Sequence, residues 1–187
     1  MIIEIKMAID LNKQIALFSQ KRLQSYESTE QHKQNFLLIQ RLCAKIGLLE
    51  IITRNKVAQI LQIADDEFVS KQTLGFWGDK INECKIHNTL VNLAHIDFKK
   101  YSKFNRKDKM RNYQKVIVAY ALFRTMRNRA FHFENLFKRN ANGTSRLSTC
   151  LTFGKTKIVV GIEPDKMEVF LDDMIEAFDS ELMGFFD

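Results

Sequence analysis

One proline, Pro164, and seven glycines are the only strong chain breakers in 187 residues. Proline removes a backbone donor and glycine gives up the most conformational freedom on folding, so long stretches without either are free to run as helices. Those stretches are filled with Leu, Ile, Lys, Gln, Met and Ala, a balance that favours helix over a strand-rich sandwich. The expectation is a mainly α chain. A hydrophobic content of 45% at this length buries one substantial core, and so one domain over 1–187.

Apolar spacing places the elements. Residues from about Ala8 to Tyr26 carry Ile9, Leu11, Ile15, Leu17, Phe18 and Leu23 at helical intervals. Ser28-Thr29-Glu30-Gln31 then forms a capping-box pattern that starts a new helix. Its stripe, from Phe36 through Leu42, Ile46, Leu49 and Val57 to Leu61, extends toward Ile63, with Gly47 as a possible kink. An acidic turn at Asp65–Glu67 and a glycine-aromatic turn at Thr73–Asp79 precede short helices near Lys80–Lys85 and Thr89–Ile96. Val116 opens an almost wholly apolar central helix that should run to about Asn140, before the Asn142-Gly143 turn. Leu147–Phe153 and Lys157–Ile162 read as a small β-hairpin joined by Gly154-Lys155-Thr156. Pro164 marks the first turn of a last helix, apolar on one face from Met167 to Leu182 and acidic on the other.

Charge is unevenly spread. The net +7 divides into +15 over residues 1–162 (28 Lys/Arg against 13 Asp/Glu) and −8 over 163–187 (one against nine). A positive body attracts polyanions through phosphate contacts and counterion release, which makes RNA or DNA plausible partners. The densest positive run, Lys99–Arg111, is either a solvated connection or an RNA-tracking segment; Lys103, Arg106 and Lys107 are its RNA-binding candidates. The acidic last helix either shields that run or is the soluble face of an amphipathic helix.

Cys43, Cys84 and Cys150 show no paired spacing and leave an odd one over, against a disulfide framework or a zinc site and in favour of a reducing cytoplasm, with the thiols as small buried hydrophobes. No stretch approaches the roughly 20 apolar residues of a membrane span, and MIIEIKMAID lacks the pattern of a secretory leader. No metal or other cofactor is expected.

The chemistry-bearing feature lies in the central helix, where an apolar run is interrupted by Arg127-Asn128-Arg129-Ala130-Phe131-His132. At about 100° per residue, Arg124, Asn128 and His132 share one face, whereas Arg127 sits about 140° round from His132. The two do not readily meet within one helix. Two copies packed about a two-fold axis would instead gather both arginines and both histidines in one cleft. An imidazole exchanges protons near neutral pH, and a guanidinium holds phosphate in a forked geometry. Together they suit cleavage of RNA by its own 2′-hydroxyl, with Asn128 orienting the imidazole or bonding the phosphate.

This Arg-Asn-x-x-x-His arrangement resembles the signature of the HEPN superfamily, and Met126–Leu136 resembles its Abi-like (abortive-infection) branch. Leu48-Leu49-Glu50-Ile51-Ile52-Thr53-Arg54-Asn55-Lys56-Val57 is similar to the Leu-Glu-Ile-x-x-Arg-Asn helix of those proteins, and Leu74–Gly78 to their middle portion, so the likeness spans roughly residues 26–140. The resemblance implies a HEPN-like helical bundle, dimeric, with metal-independent RNase activity used as a toxin or in phage defence; the alternative is a non-catalytic HEPN module that binds RNA or a protein partner. An inhibitor or antitoxin is a further possible partner. HEPN toxins silenced by a nucleotidyltransferase carry a tyrosine two residues after the histidine, where this chain has Glu134, so that mode of silencing is not expected.

Arg127, Asn128 and His132 are thus the catalytic candidates, with Arg124, Arg129, Arg54 and Asn55 as further RNA-binding candidates. Each has a structural alternative. His132 could be a core histidine and Arg127 the partner of Glu134 or Glu50, while Arg54-Asn55 either face solvent or line the cleft. His32, His87 and His95 suit structural or surface roles, and Phe76 and Trp77 suit core or interface packing.

Overall fold

A computed structural model describes residues 9–106, 109–153 and 156–186. Residues 1–8, Lys107 of the basic run, and the Gly154-Lys155 turn lie outside them. The chain is mainly helical: α1 (Leu11–Phe18), α2 (Gln20–Leu23), α3 (Thr29–Ile60), α4 (Asp66–Lys71), α5 (Leu74–Glu83), α6 (His87–Leu90) and α7 (Asn112–Phe131) are followed by strands β1 (Ser148–Phe153) and β2 (Thr156–Gly161), then α8 (Met167–Phe178). No helix among the described residues is long and apolar enough to cross a membrane.

α3 is the spine, packing against α5, α7 and α8. Leu42, Ile46 and Leu49 of α3 meet Trp77 and Ile81 of α5, Phe123 and Met126 of α7, and Phe170 and Met174 of α8 in one continuous buried cluster. Ser28 caps α3 by accepting the Gln31 N–H, while the Gln31 side chain reaches back to the Glu27 N–H, one residue beyond a standard capping box. The helix passes Gly47 without a break. A Cβ there would meet nothing within 4 Å, so this glycine carries only its weak propensity.

Several boundaries differ from the sequence reading. The first expected helix is split at Ser19, whose φ of 66° turns the chain while its hydroxyl caps α2. The acidic Asp65–Glu67 segment is itself a helix start, with Asp65 capping α4. α5 begins at Leu74, before the expected Lys80, because Thr73 caps it and Leu74, Trp77 and Ile81 bury one face at helical spacing despite two glycines. Only His87–Leu90 of the next segment is helical. Beyond it the irregular chain is pinned by α7: the Leu93 N–H donates to Asn112 Oδ1 (2.7 Å), and Lys115 Nζ donates to the Ala94 and Ile96 carbonyls (both 2.6 Å).

The largest correction concerns α7, which ends at Phe131 and not near Asn140. Phe133 adopts a left-handed φ of 51°. The Glu134 N–H then bonds the Arg129 carbonyl (2.9 Å) and the Phe133 N–H bonds that of Ala130 (3.0 Å), the paired bonds of a Schellman stop built without glycine. Buried Asn35 of α3 draws the chain away: its amide donates to the Glu134 carbonyl (3.1 Å) and its oxygen accepts the Leu136 N–H (2.9 Å). Packing against α3 overrides the helical propensity of the following residues.

The hairpin pairs Ser148 with Gly161 through Phe153 with Thr156, within a residue of expectation. Cys150 lies opposite Val159 on its outward face, and Cys84 follows the last turn of α5; both are exposed, contrary to the burial expected, while Cys43 is half-buried. Trp77 is fully buried, and His87 is buried with its ring bonded to Asn82 (3.0 Å).

Candidate active site

Helix α7 delivers the motif at its last turn. His132 caps the helix, its N–H bonded to the Asn128 carbonyl (3.0 Å), and its exposed imidazole has no hydrogen-bond partner among the described residues. Asn128, one turn earlier, and Arg124, two turns earlier, are exposed on the same side. Arg127 points elsewhere, toward α3. Its Nε lies 3.2 Å from Glu50 Oε2 and its Nη2 3.5 Å from Oε1, while Nη1 reaches Asn128 Oδ1 at 3.4 Å. Its guanidinium carbon stands 5.2 Å from the Phe131 ring centre.

The ion pair anticipated between Arg127 and an acid therefore forms with Glu50, not Glu134. Guanidinium carries five N–H donors, so two spent on Glu50 and one on Asn128 leave two for a phosphate. Arg127 is a third exposed, which keeps those donors in reach. The pair partly neutralises the charge, and the contact with Asn128 ties the arginine to the face that carries His132.

The other candidates are dispersed. Arg124 faces Asp79 at 3.6 Å and lies so close to Gly75 that a Cβ there would approach Nη2 to 3.1 Å. Arg54 turns toward α4, its Nη1 3.4 Å from the Ser70 carbonyl, and Asn55 is exposed; neither bonds a motif residue. Arg129 is turned to Glu134 (3.9 Å). Burial and then the like charge of Arg146 lower its pKa, against the pull of Glu134. Lys103 and Arg106 are exposed on the loop before α7.

Acids of the last helix are mostly engaged with the body: Glu168 with Arg41 (2.9 Å), Asp172 with Lys45 (2.7 Å) and Asp173 with Lys100 (2.6 Å). Within the described part of the basic run, Lys100 alone has such a partner; Lys103 and Arg106 are left open.

Sequence reasoning missed two contributors. Asn35 sits on the same stripe as Leu38, Ile39 and Leu42, and a polar residue on a buried face was the signal that it must bond something. Beside Phe133 a recess of about 330 Å³ is lined by Lys21, Arg22, Lys138 and Arg146 with Glu134, four cations that widely separated sequence positions conceal. Among the described residues no three His, Cys, Asp or Glu side chains are grouped as metal ligands. Comparison with protein-family models, curated proteins and solved structures finds no match to this chain.

Proposed function

We propose that the protein is a metal-independent endoribonuclease of HEPN-like, Abi-like type, acting as a toxin or phage-defence effector. The observation that carries this reading is the end of α7: an exposed, unpartnered imidazole one turn from Asn128, which itself contacts Arg127. In the reaction His132 takes the proton of the 2′-OH, whose oxygen attacks phosphorus as the P–O5′ bond breaks. The His132 of a second copy protonates the leaving oxygen, and Arg127 bonds the oxygens that gain charge. Exposed Phe131 and Phe133 are the chain neighbours of His132, and Phe36 packs on Phe133 at 5.6 Å between ring centres, apolar surface that a two-fold partner would cover.

Incubated with total RNA in EDTA, the purified protein should give fragments ending in 2′,3′-cyclic phosphate and 5′-OH. His132→Ala should abolish them while nearly preserving RNA affinity. The Glu50–Arg127 pair favours a second reading, in which the arginine is structural and the domain is a non-catalytic RNA- or protein-binding module. Intact RNA with measurable binding selects it.

A further inference from the structure

Away from the motif, a recess of about 380 Å³ lies between the loop 102–106 and the hairpin; Ser102, Phe104, Asn105, Arg106, Ser148 and Lys157 are among its walls. The loop is bolted down on both sides of Phe104. Ser102 Oγ donates to Glu163 Oε1 (2.9 Å) and accepts the Phe104 N–H (3.3 Å). Buried Asn105 donates to the Phe98 and Gly161 carbonyls (2.7 and 2.8 Å) and accepts the Gly161 N–H (2.8 Å). Yet the Phe104 ring between these anchors is 44% exposed, with Lys103 Nζ 5.3 Å from its centre. A loop anchored on both sides thus holds Phe104 partly exposed, with a cation over its ring.

Charge around it is similarly uncompensated. Lys100, Arg139 and Lys166 pair with Asp173, Glu163 and Asp165, which occupies the neighbouring acids. Lys103, Arg106 and Lys157 have no carboxylate within ion-pair distance among the described residues. The lining is mixed, with Phe104, Ile158 and Val159 set among polar and cationic groups, which suits a ligand that joins a flat apolar face to negative charge better than a lipid chain. Phosphates find cations, and a base finds a ring. A duplex keeps its base faces stacked inside, so a protruding aromatic can reach only an unpaired base.

We propose that this recess binds single-stranded RNA, one base stacking on Phe104 while the flanking phosphates lie against Arg106 and Lys157. The inference rests on the reading that RNA is the substrate, and it adds a strand-holding site apart from the cleavage residues. The test is fluorescence anisotropy of the full-length protein with a labelled 2′-O-methyl oligonucleotide of about 12 residues, within the usual span of single-strand sites and unable to be cut by its own 2′-oxygen. Phe104→Ala should weaken binding about 5- to 150-fold, the range expected for one lost stack, and Phe104→Trp should restore it. Arg106→Ala and Lys157→Ala should each lower the salt slope of log affinity by about 0.7. An abasic oligonucleotide should not distinguish Phe104→Ala from wild type. Unchanged affinity in Phe104→Ala, shown folded by thermal melting, overturns the proposal, as does equal binding of the abasic and intact strands or no binding by wild type. Displacement by a nucleoside monophosphate at the strand's own concentration would make the recess a mononucleotide site instead. Cleavage is scored separately: stacking-dependent binding without cleavage leaves this site standing and removes the nuclease reading, whereas cleavage with unchanged binding in Phe104→Ala does the reverse.

Discussion

Replacing Asn35 by alanine should be among the most damaging single changes in α3, although the residue is neither apolar nor catalytic. Its side chain is 1% exposed and makes three bonds: to the Tyr26 hydroxyl (3.1 Å), to the Glu134 carbonyl (3.1 Å) and from the Leu136 N–H (2.9 Å). Each is worth about 0.5–1.5 kcal/mol net, and an orphaned buried group costs about as much or more, so Asn35→Ala should lose about 3 kcal/mol. For a chain of this size that lowers Tm by about 6–12 °C, readable by far-UV circular dichroism. Asn55→Ala, exposed on the same helix, should stay within about 0.5 kcal/mol. Asn35→Asp keeps the acceptor for Leu136 but brings a carboxylate toward the Glu134 carbonyl, and should also destabilise. A fall of less than about 2 °C in Asn35→Ala would refute the reasoning that this amide holds the chain after His132.

Glu50→Gln should cost about 0.5–1 kcal/mol, as for a partly exposed ion pair, while raising RNA affinity and steepening its salt dependence, because Arg127 is released toward phosphate; filter binding at several salt concentrations checks it, and unchanged affinity would make Arg127 structural. His32, buried among Phe18, Tyr26 and Phe36, has its pKa lowered by burial and by Arg22. The unfolded chain therefore binds the proton first, so stability is full above about pH 6.5 and falls as pH drops toward the lowered value. His32→Phe should flatten part of the loss of Tm between pH 7.5 and 5.5, and His87, shifted the same way, contributes a further part. Solution scattering at micromolar concentration should give a dimer mass; a monomer would count against the shared cleft.

Local signals made much of this fold legible. The Ser28 cap, the α3 stripe, the Asn142-Gly143 turn and the hairpin follow from patterns within a few residues. The stop at Phe131 does not, since no glycine or proline marks it. It is imposed by Asn35, 99 positions away from Glu134, a long-range bond that periodicity cannot show. The motif residues were recognisable by type, and the helical offset of Arg127 from His132 appears as two directions, one toward Glu50 and one toward solvent. Which acid Arg127 would choose depended on how α3 and α7 cross, which sequence spacing leaves open.

Helix α1 contributes no buried residue, and Ile9, Leu11 and Leu17 at its edge are exposed. Its attachment runs largely through Phe18, whose ring meets His32 at 5.0 Å and Phe36 at 6.3 Å. So small a contact belongs to the least protected units of a protein, whose amides exchange with solvent through local opening rather than global unfolding. Each opening would wet His32, and a proton caught there would hold α1 away. The next segment, α2, carries Arg22, whose Nη1 donates to the Phe133 carbonyl (2.7 Å) directly after His132. Undocking that spread from α1 into α2 would free this carbonyl, so the least protected part of the chain is tied by a single hydrogen bond to the end of the motif helix.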